Sequence, residues 1–269
     1  MTGTAWALLG AVLLGVLQGL TEFLPVSSSG HLVLFQQFIE VPGDDVFFDL
    51  MLHLGTLVPA LWFYRRDVLG VLADVVGGER PWSERPGVRL AGLVVAASLP
   101  TAVIGLSGKD YFELMFQSPG AVSIAFLFTG AVLFATRGRD LGTLNLMSTP
   151  YLTAFWIGVA QGVAITPGVS RAGMTIAAAM LLGVEREFAV KLSFLMSVPA
   201  ILGAVLLKSR DVELASIELG PVLAGALTAL VTGYLALTLL VGLVKRGQFS
   251  SFCWYVWGMA LVAAWVALR

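Results

Sequence analysis

The sequence predicts an all-α polytopic membrane protein with six transmembrane helices plus two re-entrant helical hairpins in an inverted-topology repeat. Three observations predict it. The 269-residue chain is 58% hydrophobic and only 12% charged, with a mean hydropathy of +0.89, whereas a soluble domain carries roughly 25% charged residues. Apolar stretches of about 20 residues, enough for a helix to cross the hydrocarbon core, recur along the chain. Two further apolar regions are broken at their centres by Pro, Gly and Ser in related sequence contexts.

The elements follow in order. The first apolar region lacks the basic start of a cleavable signal and is expected to stay in the protein. It is broken by Leu24-Pro25-Val26-Ser27-Ser28-Ser29-Gly30, giving short segments over 5–22 and 27–39. Proline removes an amide donor and restricts its predecessor, and Ser and Gly favour turns and caps. Spanning helices are expected near 46–65, 88–108 and 119–136. A second broken region follows, 152–165 and 171–183 around Thr166-Pro167-Gly168-Val169-Ser170, and then spans near 187–208, 218–243 and 252–268. Broken backbone at membrane depth must be shielded by protein or line a cavity.

Sliding the chain by 143 positions matches seven of sixteen residues between Gly15–Gly30 and Gly158–Gly173, including both Gln-Gly and both Val-Ser pairs. Three spans follow each hairpin, so an odd number separates the copies and the second half, 143–269, is inverted relative to the first, 1–142, within one integrated membrane domain. Helix breaks in such repeats meet near a central site. With the N-terminus outside, eleven Lys and Arg between Arg65 and Arg246 fall on the inner side, against Lys109, Lys208, Arg210 and Arg269 outside, the cytoplasmic excess expected of an inner-membrane protein.

Composition also excludes classes. A net charge of −1 leaves no basic excess to hold a nucleic-acid backbone, so no nucleic-acid partner is expected. A single cysteine, Cys253, forms neither an intrachain disulfide nor a thiolate cluster. No glycine-rich loop followed by Lys-Ser/Thr is present, which disfavours ATP hydrolysis.

What remains is a set of polar residues that lipid should exclude. Glu22 lies one turn after Gln18, beside the first break. Its burial demands compensation. His31 is placed to pair with Glu22 across the turn, as a proton-transfer or nucleophile-orienting unit; a hydrogen-bonded packing histidine is the plainer alternative. Ser27, Ser28 and Ser29 suit caps, phosphate donors or an activated hydroxyl, with capping the default for Ser27. Ser170 suits a cap or a phosphate contact, and Arg171 offers a permanent fork for two phosphate oxygens. Thr175, one turn on, can add a hydroxyl. Gly30 and Gly173 permit close approach by backbone or ligand, or serve helix packing alone. His53 lacks such a neighbourhood and is secondary. Helix amino ends at Ser27 and Ser170 favour an anion, and a divalent cation, Mg or Ca, could bridge Glu22 and substrate phosphates.

The stretch from Gln18 to His31 closely resembles the first signature of the bacterial undecaprenyl pyrophosphate phosphatase family of the bacitracin-resistance type, and Pro167 to Thr175 resembles its second. Phe48-Asp49 and His53-Leu54-Gly55-Thr56 are also similar. Gln18 stands where the family often has Glu, which weakens a two-carboxylate metal site, and Ala172 where it often has Ser. The resemblance implies an active site of Glu22, Ser28, His31 and Arg171, surrounded by Gln18, Ser27, Ser29, Ser170 and Thr175. It implies dephosphorylation of undecaprenyl pyrophosphate on the outer face of the inner membrane, divalent-cation dependence and a homodimer. The alternative from the repeat alone is a transporter or flippase for a phosphorylated lipid or another anion.

Overall fold

The computed structural model describes residues 3–39, 45–77, 80–138, 142–209 and 218–269; Arg210, counted above on the outer side, lies outside them. Lipid leaves backbone polar groups no partner but their own segment, so a chain this apolar folds as helices. In order these are α1 (Gly3–Phe23), α2 (Ser28–Phe35), α3 (Asp45–Phe63), α4 (Arg65–Val76), α5 (Pro86–Ser107), α6 (Lys109–Phe116), α7 (Pro119–Ala135), α8 (Tyr151–Val163), α9 (Arg171–Leu181), α10 (Arg186–Lys208), α11 (Leu219–Lys245) and α12 (Phe252–Ala267).

Among the described residues, α1, α5, α10, α11 and the segment ending in α12 are each long and apolar enough to cross a membrane. Two bent pairs, α3 with α4 at 75° and α6 with α7 at 104°, bring the count to as many as seven. The protein is thus an all-α polytopic membrane protein. The polarity of its interior and exterior agrees: Gln18, Glu22, His31 and Thr175 are buried, while Ile124, Leu206 and Leu261 are about 70% exposed. In water that surface would aggregate; in lipid it is solvated.

Three details differ from the sequence expectation. The bends lie after α3 and before α7, not at the two Pro-Gly-Ser interruptions, because α4 and α6 are additional helices. Both are short, and α4, with Arg65, Arg66, Asp67 and Asp74 in twelve residues, is too polar to register as a span. It buries no residue and is tied down at its ends, by Lys191 Nζ to Asp67 Oδ1 at 2.7 Å and by the Gly87 amide donating to Asp74 Oδ2 at 2.7 Å. Third, α1 has 21 residues, about 32 Å at 1.5 Å per residue, so it has the length to cross by itself. The helices α8 and α9, with 13 and 11 residues, reach only about 20 and 16 Å.

Packing follows the glycines. The helix α1 lies along α11, and α8 lies along α5. A Cβ on Gly15 would overlap the Gly225 carbonyl and one on Gly19 would overlap Thr232; a Cβ on Gly158 would overlap the Ala97 carbonyl and one on Gly162 would press Ile104. Small residues let backbones approach where no hydrophobic force drives helices together. The other close pairings are α7 with α12 and α3 with both α10 and α11. Ser123 Oγ to the Ala260 carbonyl at 2.8 Å and Trp257 Nε1 to the Leu127 carbonyl at 3.2 Å fasten α12 onto α7.

Candidate active site

The site forms where the two interruptions touch. A Cβ on Gly30 would lie 2.8 Å from Gly168 Cα and 2.7 Å from the Phe126 ring, and one on Gly173 would lie 3.5 Å from Pro25 Cβ. Both glycines therefore serve the contact between the tips, which is packing and not ligand contact. In the second turn Gly168 takes φ +90°, a region open to glycine. Its carbonyl accepts from Thr129 Oγ1 at 3.0 Å, and the same hydroxyl oxygen accepts from the Ser170 amide at 3.2 Å.

Serines start both short helices. Ser27 Oγ accepts from the Gly30 amide at 3.3 Å and Ser170 Oγ from the Gly173 amide at 3.0 Å, so both are N-caps. Ser27 also has φ 67°, a strained setting for a side-chain-bearing residue that costs of order 1–3 kcal/mol. Its hydroxyl is 3.3 Å from Ser29 Oγ.

Glu22, at the end of α1, is buried and organises the rest. Its Oε1 takes a hydrogen bond and ion pair from Arg171 Nη2. Its Oε2 accepts from Ser28 Oγ at 2.6 Å and from Gln18 Nε2 at 3.0 Å. A carboxylate withdrawn from water needs this compensation, since an unpaired buried charge is far costlier than a paired one. The other guanidinium N–H groups of Arg171 have no hydrogen-bond partner among the described residues. At the first two positions of α2 and α9, the amides of Ser28, Ser29, Arg171 and Ala172 have no intrahelical acceptor. Serine hydroxyl, carboxylate, guanidinium and free amides converge, which is a donor-rich anion site beside a hydroxyl whose proton already points at a base.

The histidines exchange the places expected for them. His31 does not meet Glu22: Nδ1 donates to the Ser27 carbonyl at 2.7 Å, and Nε2 is 2.8 Å from the Tyr255 hydroxyl. Its ring is stacked on Tyr255 with 3° between planes and takes the Phe126 ring edge-on at 5.5 Å. The imidazole facing Glu22 belongs to His53, with Nε2 3.9 Å from Oε2 and Nδ1 2.8 Å from the Asp49 carbonyl. Asp49 Oδ1 accepts from Gln36 Nε2 at 2.9 Å. His53 was secondary in the sequence because its partner lies on another helix; the His53-Leu54-Gly55-Thr56 run beside Phe48-Asp49 was the available signal. Thr175 is buried, donating to the Arg171 carbonyl at 2.8 Å and bonded to Ser193 of α10. It anchors the Arg171 turn and adds no hydroxyl to the pocket.

Residues 11–262 match the family model of the bacitracin resistance protein BacA. A protein of Carboxydothermus hydrogenoformans named undecaprenyl-diphosphatase is 42% identical over 252 residues, covering 92% of each chain. One of Desulfosudis oleivorans with the same name is 44% identical over 270 residues, 96% of this chain and 98% of that one. A third, from the archaeon Methanobrevibacter smithii, is 35% identical over 263 residues. The tips that meet at Glu22 and Arg171 lie within the matched span, and the chain belongs to the bacitracin resistance protein BacA family.

Proposed function

We propose that this site hydrolyses undecaprenyl diphosphate to undecaprenyl phosphate and inorganic phosphate, recycling the lipid carrier for cell-wall synthesis in a bacterial inner membrane. The observation that carries the reading is the Arg171–Glu22–Ser28 constellation, held between two helix breaks inside an apolar-surfaced protein whose relatives bear that activity in their name.

The isoprenoid chain stays in lipid while the diphosphate enters between the tips. Arg171 keeps one N–H on Glu22 and turns its others to the phosphate oxygens, joined by the free amides of α2 and α9. Ser28 Oγ attacks the terminal phosphorus as its proton passes to Glu22 Oε2. The bond from that phosphorus to the bridging oxygen breaks, and undecaprenyl phosphate leaves with the electron pair. Water then attacks the phosphoserine and returns Ser28. The 2.6 Å contact to Glu22 supports Ser28 as nucleophile over His31, whose two nitrogens are both engaged.

A divalent cation fits this donor set in a limited way. Among the described residues no group of three or more His, Cys, Asp or Glu side chains gathers. Gln18 Oε1, however, is buried without a partner beside Glu22. These two oxygens suit an ion that takes its other ligands from phosphate and water, as Mg does. When bound it supplies charge neutralisation on the phosphates.

The same reading places six spans and two re-entrant hairpins in two inverted halves, 1–142 and 143–269. The exchanged packing supports it, since α1 of the first half lies on α11 of the second and α8 of the second on α5 of the first. The Lys and Arg distribution supports a site open to the outer face, and the family resemblance supports a homodimer. The test is phosphate release from undecaprenyl diphosphate by purified protein in detergent, with the phosphoenzyme trapped and mapped. Release by wild type, lost in Ser28→Ala, with phosphate on Ser28, is expected. Substrate movement across a vesicle membrane without phosphate release would overturn it in favour of transport, and phosphate mapped to His31 would overturn the serine step.

A further inference from the structure

The chain has two histidines, and the one beside the reactive serine is held by the far end of the molecule. Carbonyl oxygens only accept, so the 2.7 Å contact between His31 Nδ1 and the Ser27 carbonyl puts the proton on Nδ1. His31 is buried, and no carboxylate pairs with it among the described residues, so its neutral form is favoured. Nε2 then carries the lone pair, and the Tyr255 hydroxyl donates to it across 2.8 Å. Neither nitrogen is left free to attack phosphorus or to take a proton.

The atom that His31 does hold matters for Ser28. Ser27 sits at φ 67° and ψ 98° as the N-cap of α2, the turn that swings the chain from α1 into α2 and sets Ser28 Oγ on Glu22. Within α2 this turn is fixed by one serine cap at 3.3 Å and a helical bond of 3.3 Å from the His31 amide to the same Ser27 carbonyl, both long. The imidazole supplies the short bond. Its orientation in turn depends on the Tyr255 ring, stacked at 5.7 Å, and on the Phe126 edge. Tyr255 is on α12 and Phe126 on α7, helices already fastened together.

We infer that Tyr255 is a positioning residue: by donating to His31 Nε2 it fixes the tautomer whose Nδ1–H holds the strained Ser27 turn, and so presents Ser28 to Glu22. This rests on the phosphatase reading above and reassigns His31 from chemistry to positioning. It explains a tyrosine half exposed on an otherwise apolar helix with its hydroxyl turned inward.

The test combines kinetics with a direct view of the ring. Tyr255→Phe keeps the stacking and removes the donor. It is expected to lower kcat roughly tenfold, the effect of one lost neutral hydrogen bond, while KM stays within about twofold because diphosphate binding is untouched. With only two histidines, ring-15N labelling gives a simple spectrum, and His53→Gln assigns it. Wild type should show His31 protonated on Nδ1, and Tyr255→Phe a tautomer mixture. His31→Gln, which retains an N–H donor for the Ser27 carbonyl but is neither base nor nucleophile, should turn over at least about tenfold faster than His31→Ala.

Three results would overturn the inference: His31→Gln as inactive as His31→Ala, wild-type kcat in Tyr255→Phe, or an unchanged tautomer in that variant. Wild-type protein that releases no phosphate would instead refute the phosphatase reading, and the labelling result would still report on the lock by itself.

Discussion

At the scale of single residues, the site is set by how one buried carboxylate is satisfied. Glu22 spends one oxygen on Arg171 and the other on Ser28 and Gln18, so each neighbour has a distinct consequence when changed. Arg171→Lys leaves a cation for Glu22 and should preserve folding, but a point charge cannot bind carboxylate and phosphate together as a planar fork does. One lost charge-assisted bond is about 1.5–3 kcal/mol, so phosphate release should fall roughly 10- to 100-fold with the thermal midpoint in detergent little changed. Arg171→Ala strands the carboxylate, which costs about 3–5 kcal/mol for a buried pair, and should lower that midpoint. Retained turnover in the lysine variant would remove the clamp role. These partners were partly legible in the sequence. Glu22, Ser28 and Arg171 stood out because lipid excludes their types unless they meet. His53 did not, because its geometry depends on how α3 packs beside α1, and His31 looked reactive through sequence proximity that the fold spends on a backbone turn instead.

At the scale of elements, the spans were readable because length and apolarity are local properties, and α10 and α11 fall within two residues of the expected limits. The missed helices, α4 and α6, are amphipathic and short; their order comes from neighbours, such as the Asp67–Lys191 pair, which no window along the chain detects. The repeated Gly-Val-x-Gln-Gly pattern marked a real constraint, but only the fold says which. It is a crossing of α1 with α11 and of α8 with α5. Residues Gly15 and Gly158 face backbone carbonyls there, atoms that cannot rotate aside, so Gly15→Ala must push α1 off α11. Overpacking of this kind costs about 1–3 kcal/mol. Gly70 on α4, with nothing within 4 Å of an added Cβ, is the matched control, where alanine should be neutral or stabilising by about 0.5–1 kcal/mol. Thermal unfolding in detergent reads both, and equal midpoints would dismiss the crossing as a constraint.

At the scale of the whole molecule, the first break carries the acid and the serine, and the second carries the guanidinium, so neither half holds a complete site. The scaffold is divided the same way, because α1 is packed by α11 and α8 by α5, each leading helix completed by a span from the other half. A half alone would expose its glycine-lined helix faces and, in the first half, an uncompensated Glu22. The two halves should therefore fail separately and succeed together. A chain cut between Asp140 and Leu141 and co-expressed as two pieces should co-purify from membranes and release phosphate from undecaprenyl diphosphate, whereas either piece expressed alone should be inactive and degraded. Activity in the first piece by itself would mean that Arg171 is dispensable and that the ion pair is structural. Co-purification without activity, restored by no ligand, would mean that the covalent link sets the register of the tips. Recovery of both binding and turnover would locate the cause of catalysis in the contact between the two breaks, which is where the only carboxylate–guanidinium pair joining α1 to α9 is found among the described residues.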